Sequence, residues 1–279
     1  MKSFALPPRR SQRLAPATPE SLPHAVAVDA VGNVFIVGER NVAGTIDSVN
    51  DTVFYVSKRD PSGAEVWTHF YGQGARRDQY RLTAATDAQG NLVVAGDFAG
   101  TGNFDGATLT PLGSRDAFAI LLDGEGHRIW SRTFGTSELV SMTGVDGPDY
   151  MGHVGTGASS VAFDAAGDVV LIGSFSEHVN FGSGVLDAKK GGDFAVVLDH
   201  SDGKSLASRQ LVDSGFPSVA ADPAGGIVIA STYQPGGVLV TKLDCPRAAT
   251  RAGARPCSAP VKPKASAIRG SPWAPPARP

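Results

Sequence analysis

Hydrophobic residues in this chain alternate with polar ones in short runs that close on aspartate or glycine, and one such run is written four times. Val26-Ala-Val-Asp29-Ala-Val-Gly32-Asn-Val-Phe-Ile-Val-Gly38 recurs from Ala84 to Gly96, from Val161 to Gly173 and from Val219 to Ser231. The anchoring aspartates Asp29, Asp87, Asp164 and Asp222 are spaced by 58, 77 and 58 residues. A phrase repeated at that period is one supersecondary unit, which cannot bury its apolar surface alone and must stack on its neighbours.

Within each copy the pattern predicts four short strands. The first is Val26 to Asp29, and an Asp-x-x-Gly turn leads into the second, Asn33 to Gly38, where β-branched residues dominate. The third reads Tyr55 to Asp60, Phe118 to Asp123, Phe194 to Asp199 and Leu239 to Asp244. A glycine turn follows, and the fourth begins at Trp67, Trp130 and Leu206. No connection has the amphipathic helix a parallel crossover needs, so the strands pair as antiparallel meanders. The expected fold is all-β: a propeller-like arc of four-stranded antiparallel blades, three complete and one incomplete. The blades fall at about 20–77, 78–135, 155–211 and 212–244, with an insertion at 136–157.

The repeated aspartates and glycines are assigned to turns, because an aspartate carboxylate accepts from amides two residues on and glycine tolerates positive φ. Asp-x-x-Gly-Asn also suggests calcium, yet that ion takes six to eight oxygens and each copy repeats one carboxylate. Trp67, Trp130, Tyr71 and Phe134 fall on one face of strand four, where packing between blades is expected rather than a stacking platform for sugars or bases.

Charge is segregated along the chain. The net charge is −2, but residues 1–24 carry +3, residues 245–279 carry +7 and the body between carries −12. An acidic body repels phosphate backbones, so no nucleic-acid partner is expected; binding by the basic tail alone would show steep salt dependence. Residues 1–19 read as a disordered leader and 245–279 as a disordered basic tail rich in Pro, Ala and Arg. Cys245 and Cys257, the two cysteines, lie in that tail and are read as unstructured thiols. The N-terminus lacks a signal-peptide apolar run, and no window suits a membrane span.

Asp29-x-x-Gly-Asn-Val-x-Ile-x-Gly, then Tyr55-Val-x-Lys-Arg-Asp60-x-x-Gly63 and Trp67, resembles the SBBP class of bacterial β-propeller repeats. The likeness extends to the version with an Asn-Phe-Gly loop, seen here as Asn103-Phe-Asp105 and Asn180-Phe-Gly182, and covers about Glu20 to Asp244. It implies a propeller in an extracytoplasmic or cell-surface protein, and it carries over no catalytic residue. The fourth copy departs from it by stopping at Asp244, where a fourth strand should follow.

No catalytic, cofactor or metal-ligand set recurs. Gly-x-Ser-x-Gly is absent, the six histidines occupy unrelated repeat positions, and Gly100 to Gly106 lacks the helix and Lys-Ser/Thr of a phosphate loop. His69 falls at a tolerant, exposed position. The chain is therefore read as a non-enzymatic scaffold or binding module, without cofactor, for an unknown protein or glycan, with self-association through unclosed blade edges. The insertion offers the candidate ligand residues Asp146, Asp149, Tyr150 and His153, since long loops on rigid scaffolds carry function. The alternative is a propeller hydrolase or lyase with carboxylates at the channel mouth, drawn from Asp146, Asp149 and His153.

Overall fold

The computed structural model describes residues 21–41, 52–75, 82–136, 155–211, 215–222, 226–232 and 238–243. All regular structure among them is β-strand. Strands β1 (Ser21–Val28), β2 (Val34–Asn41), β3 (Thr52–Arg59) and β4 (Glu65–Tyr71) form one sheet in chain order. The second sheet takes β5 (Thr83–Thr86), β6 (Leu92–Phe98), β9 (Asp116–Leu122) and β10 (Arg128–Phe134), with a separate hairpin, β7 (Gly102–Phe104) and β8 (Ala107–Leu109), between β6 and β9. Strands β11 (Thr156–Phe163), β12 (Val169–Asn180), β13 (Val185–Leu198) and β14 (Ser205–Leu211) make the third sheet. Strands β15 (Gly215–Ala221), β16 (Ile227–Thr232) and β17 (Val238–Leu243) make the fourth. Every pairing is antiparallel.

The repeated aspartates hold the turns as their chemistry dictates. Asp29 Oδ1 accepts from the amides of Val31 and Asn33 at 3.1 and 2.8 Å, and its Oδ2 accepts from Asn33 Nδ2 at 2.7 Å. Asp87 repeats all three bonds with Gln89 and Asn91. The β3–β4 turn uses the same device: Asp60 receives Ser62 and Ala64, with Gly63 at φ 90°. Gly32 at φ 91° closes the first turn, a conformation that costs an L side chain about 1–2 kcal/mol.

The glycine that ends each phrase has a different cause. Gly38 pairs across the sheet with Tyr55, Gly96 with Phe118 and Gly173 with Phe194. A Cβ on Gly38 would stand 2.8 Å from the Tyr55 ring, and one on Gly173 would stand 2.8 Å from that of Phe194. The aromatic opposite therefore lies over the bare backbone, and the two choices are coupled.

Sheets pack face to face in chain order. Call the face toward the preceding unit leading and the other trailing. Phe35, Val37, Phe54 and Val56, trailing on sheet one, bury against Leu92, Val94, Phe118, Ile120 and Leu122, leading on sheet two. Val93, Ala95, Ala117 and Ala119 meet Val169, Leu171, Phe194 and Val196 in the same way. Ala162, Val170 and Ile172 meet Val219, Ile227 and Ile229. First strands lie side by side, β5 against β1 and β11, and β11 against β15.

The Asn-Phe motifs fill the outer part of these layers. Asn103 Oδ1 accepts from Gly106 N and Asn180 Oδ1 from Gly182 N, each holding a tight hairpin. Phe104 thereby packs among Phe54, Phe98 and Phe118, and Phe181 between Phe134 and Phe194. In the third unit that hairpin is continuous with the main sheet, which is why β12 and β13 run to 12 and 14 residues.

Strand-four tryptophans tie each sheet to the next. Trp67 Nε1 donates to the Gly124 carbonyl at 3.2 Å, and Trp130 Nε1 to that of His200 at 2.9 Å. Gly124 and His200 both directly follow the closing aspartate of strand three. Lys58 Nζ also reaches the Gly124 carbonyl, at 2.7 Å. His69 corrects an expectation: it is half-buried, not exposed, because its ring packs on Trp67 at 4.8 Å and faces Gly126. Trp130, buried among the second and third sheets, should cost about 3–5 kcal/mol when changed to Ala. Trp130→Phe, which keeps a ring and loses the donor, should cost about 1 kcal/mol. Urea unfolding of both variants tests the division; no loss in Trp130→Phe would show that the bond carries nothing.

Candidate functional site

Asp146, Asp149, Tyr150 and His153 lie outside the described residues, as do Cys245 and Cys257. The point where their segment rejoins the sheets is described. Gly155 and Ser176 bond reciprocally, Gly155 N to Ser176 Oγ at 3.1 Å and Ser176 N to Gly155 O at 3.0 Å. Thr156 N donates to the Arg115 carbonyl at 3.2 Å, and a Cβ on Gly155, at φ 145°, would stand 2.3 Å from that oxygen. Arg115 Nε in turn meets Asp97 Oδ2 at 2.9 Å, with both side chains largely buried.

This junction is an anchor. A buried ion pair fixes position at little net gain, and removing one partner costs about 3–5 kcal/mol because the other charge is left uncompensated. Beside it Asp116 is fully buried; burial pushes its carboxyl up, against the amides of Leu112 and Gly113 and the Thr133 hydroxyl. Gly135 is obligatory there, since a Cβ would overlap the Asp116 carboxylate. The Thr156 hydroxyl, also buried, has no hydrogen-bond partner among the described residues.

The structure assembles a second polar group that the sequence pattern does not flag. In the third unit Asp168 replaces the Asn33 and Asn91 of the first two. A carboxylate cannot donate back to Asp164 as those amides do to Asp29 and Asp87. Asp168 Oδ1 instead faces the His200 amide and ring Nδ1, both at 3.1 Å. Asp199 closes the neighbouring turn, its Oδ1 held by the Ser201 amide at 2.7 Å and hydroxyl at 2.5 Å. Ligand atoms of Asp168, Asp199 and His200 lie within 4.8 Å of one another, two residues half-buried and one exposed. Two carboxylates and an imidazole suit a first-row divalent cation better than calcium. The signal available in sequence was the break in the repeat at Asp168.

Electrostatics separates this turn from its siblings. Burial disfavours the charged form of Asp29, yet the Asn33 side chain and the backbone amides outweigh it and hold the carboxyl below its usual value. Asp164 is pushed up by burial and by the charge of Asp168, in spite of its amide donors.

No family model matches the chain, and no curated protein matches it. Among solved structures it is similar to the GH43_1 enzyme from Xanthomonas citri complexed with xylose. Identity is 13%, 82% of this chain and 71% of that chain are covered, and the TM-score is 0.40. The expectation of a chain without catalytic activity is corrected by this neighbour, which is an enzyme, and is not retained. A likeness of that depth assigns no activity or ligand to this chain.

Asp168→Asn should stabilise the protein by about 0.5–1.5 kcal/mol, by restoring the bond the other two turns make. A folded carboxyl titrating above its unfolded value favours the fold only at low pH, and that contribution is lost as pH rises through the folded value. The gain from Asp168→Asn should therefore be largest near neutrality and shrink as pH falls through the raised folded value of Asp164. Melting curves at pH 7 and pH 3 check the sign.

Proposed function

We propose that the four units are blades of a propeller-like arc, serving as a binding scaffold in a bacterial surface or secreted protein of the SBBP-repeat type. One observation carries the scaffold reading: the residues common to the copies are spent on holding turns or joining sheets. Asp29, Asp87 and Asp164 hold turns, Gly38 and Gly173 make room for rings, and Trp67 and Trp130 tie neighbours together. Ligand contact then falls to copy-specific residues, and the longest copy-specific segment holds Asp146, Asp149, Tyr150 and His153. Its anchor at Gly155 and Arg115 is rigid, which suits recognition by a loop on a fixed frame. The ligand class is a protein or a glycan.

The full chain, probed against a glycan array and a panel of purified bacterial surface proteins, should return a saturable ligand. Changing Asp146, Asp149, Tyr150 and His153 together to alanine should weaken that binding at least tenfold while leaving the melting temperature unchanged. Undiminished binding by the variant would remove the segment from the reading. No saturable ligand below about 100 μM would remove the binding role.

A further inference from the structure

Each internal interface joins a trailing face to a leading face, and the series leaves one of each kind uncovered. Val26, leading on sheet one, is 64% exposed, whereas its repeat counterparts Val161 and Val219 are 5% and 8% exposed. Val28, 55% exposed, shares that open face. At the other end Val238 and Val240, on β17, are 65% and 55% exposed, whereas Phe54 and Val56 at the same positions of sheet one are fully buried. Isolated apolar residues on a surface need no explanation, but a run of them at positions buried in sister units marks an interaction site.

The free trailing face also has the makeup of an interface. Strand β17 reads Val-Thr-Lys-Leu-Asp244 where β3 reads Val-Ser-Lys-Arg-Asp60, so Lys242 stands at the position of Lys58. Lys58 is the residue that crosses to the next sheet, donating to Gly124 O. Lys242 is ion-paired with Asp222, the counterpart of Asp29, whose carboxyl Lys58 likewise favours in its charged form. The sheet-one counterpart of Gly124 is Pro61, in the exposed β3–β4 turn.

We propose that the trailing face of sheet four docks on the leading face of sheet one of a second copy, Val240 covering Val26 and Lys242 reaching the Pro61 carbonyl. This rests on the open-arc reading above. A trailing-on-leading contact is heterologous, so it either closes a ring or grows a filament. Propellers typically hold about four to eight blades. Two four-sheet arcs reach that upper figure and three overshoot it, so the assembly is a closed dimer with two equivalent seams.

Sedimentation of the full chain over roughly 1–100 μM should give a particle of twice 28.8 kDa. Val26→Asp and Val240→Asp should each weaken the dimer at least tenfold without lowering the melting temperature of the monomer. Mixing the two variants should bring dimers back, since one seam then pairs an intact Val26 with an intact Val240. A leading-on-leading contact would respond to Val26→Asp alone and would overturn the proposal. So would a wild-type monomer at every concentration. In that case, variants that melt early would mean that the four sheets close on themselves and the open arc is wrong. Variants that melt normally would leave the arc standing and remove only the self-docking.

Discussion

Burial of both faces of a sheet by its neighbours is the constraint on which this structure depends. A four-stranded meander has two apolar faces here, and neither can be left to water without cost. Val93 faces one neighbour and Val94 the other, and both are fully buried. The strands of the middle sheets therefore read as nearly continuous apolar runs, Leu92-Val-Val-Ala95 and Val169-Val-Leu-Ile172. Packing at about 25 cal/mol per Å² of apolar area removed from water makes this the main source of stability.

Turn chemistry serves that packing. An Asp-x-x-Gly turn holds two strands in register with its own bonds, so the turn needs no tertiary partner of its own. Its backbone carbonyls are then available to the neighbouring unit, and Trp67, Trp130 and Tyr71 use them at Gly124, His200 and Gly126. The aromatic strand four and the glycine turn of the next unit are thus two halves of one joint. Gly126 and Gly203 leave room for the rings, since a Cβ on either would press within 3.0 Å of Trp67 or Trp130.

Much of this was legible in the chain because period, alternation and turn residues agree. The four phrases gave the sheets, the aspartates their turns, and the recurring tryptophans their place between units. Strand β1 begins five residues earlier than the phrase suggests, since a bulge between Pro23 and Ala25 carries pairing past the alternating residues. The β7–β8 hairpin escaped because Asn103-Phe-Asp105 is too short to show alternation. The meeting of Asp168 with His200 escaped for a different reason. It joins the β11–β12 turn to the β13–β14 turn, 32 residues apart, and only the pairing of β12 with β13 brings them together.

The fourth unit shows what happens when the couplings are withdrawn one at a time. Gly226 takes the place of Asn33, so the carboxamide that braces the first turn is gone. Ser231 faces Leu239 where the other units set glycine under an aromatic ring. Leu206 stands where Trp67 and Trp130 tie their sheets to the next, so no indole bond joins the third unit to the fourth. Stability in a stacked array is close to a sum of unit and nearest-neighbour terms. The fourth sheet, short of both kinds, is where opening should begin, ahead of the second and third units. A partner on its free face would supply the second interface that each interior sheet already has.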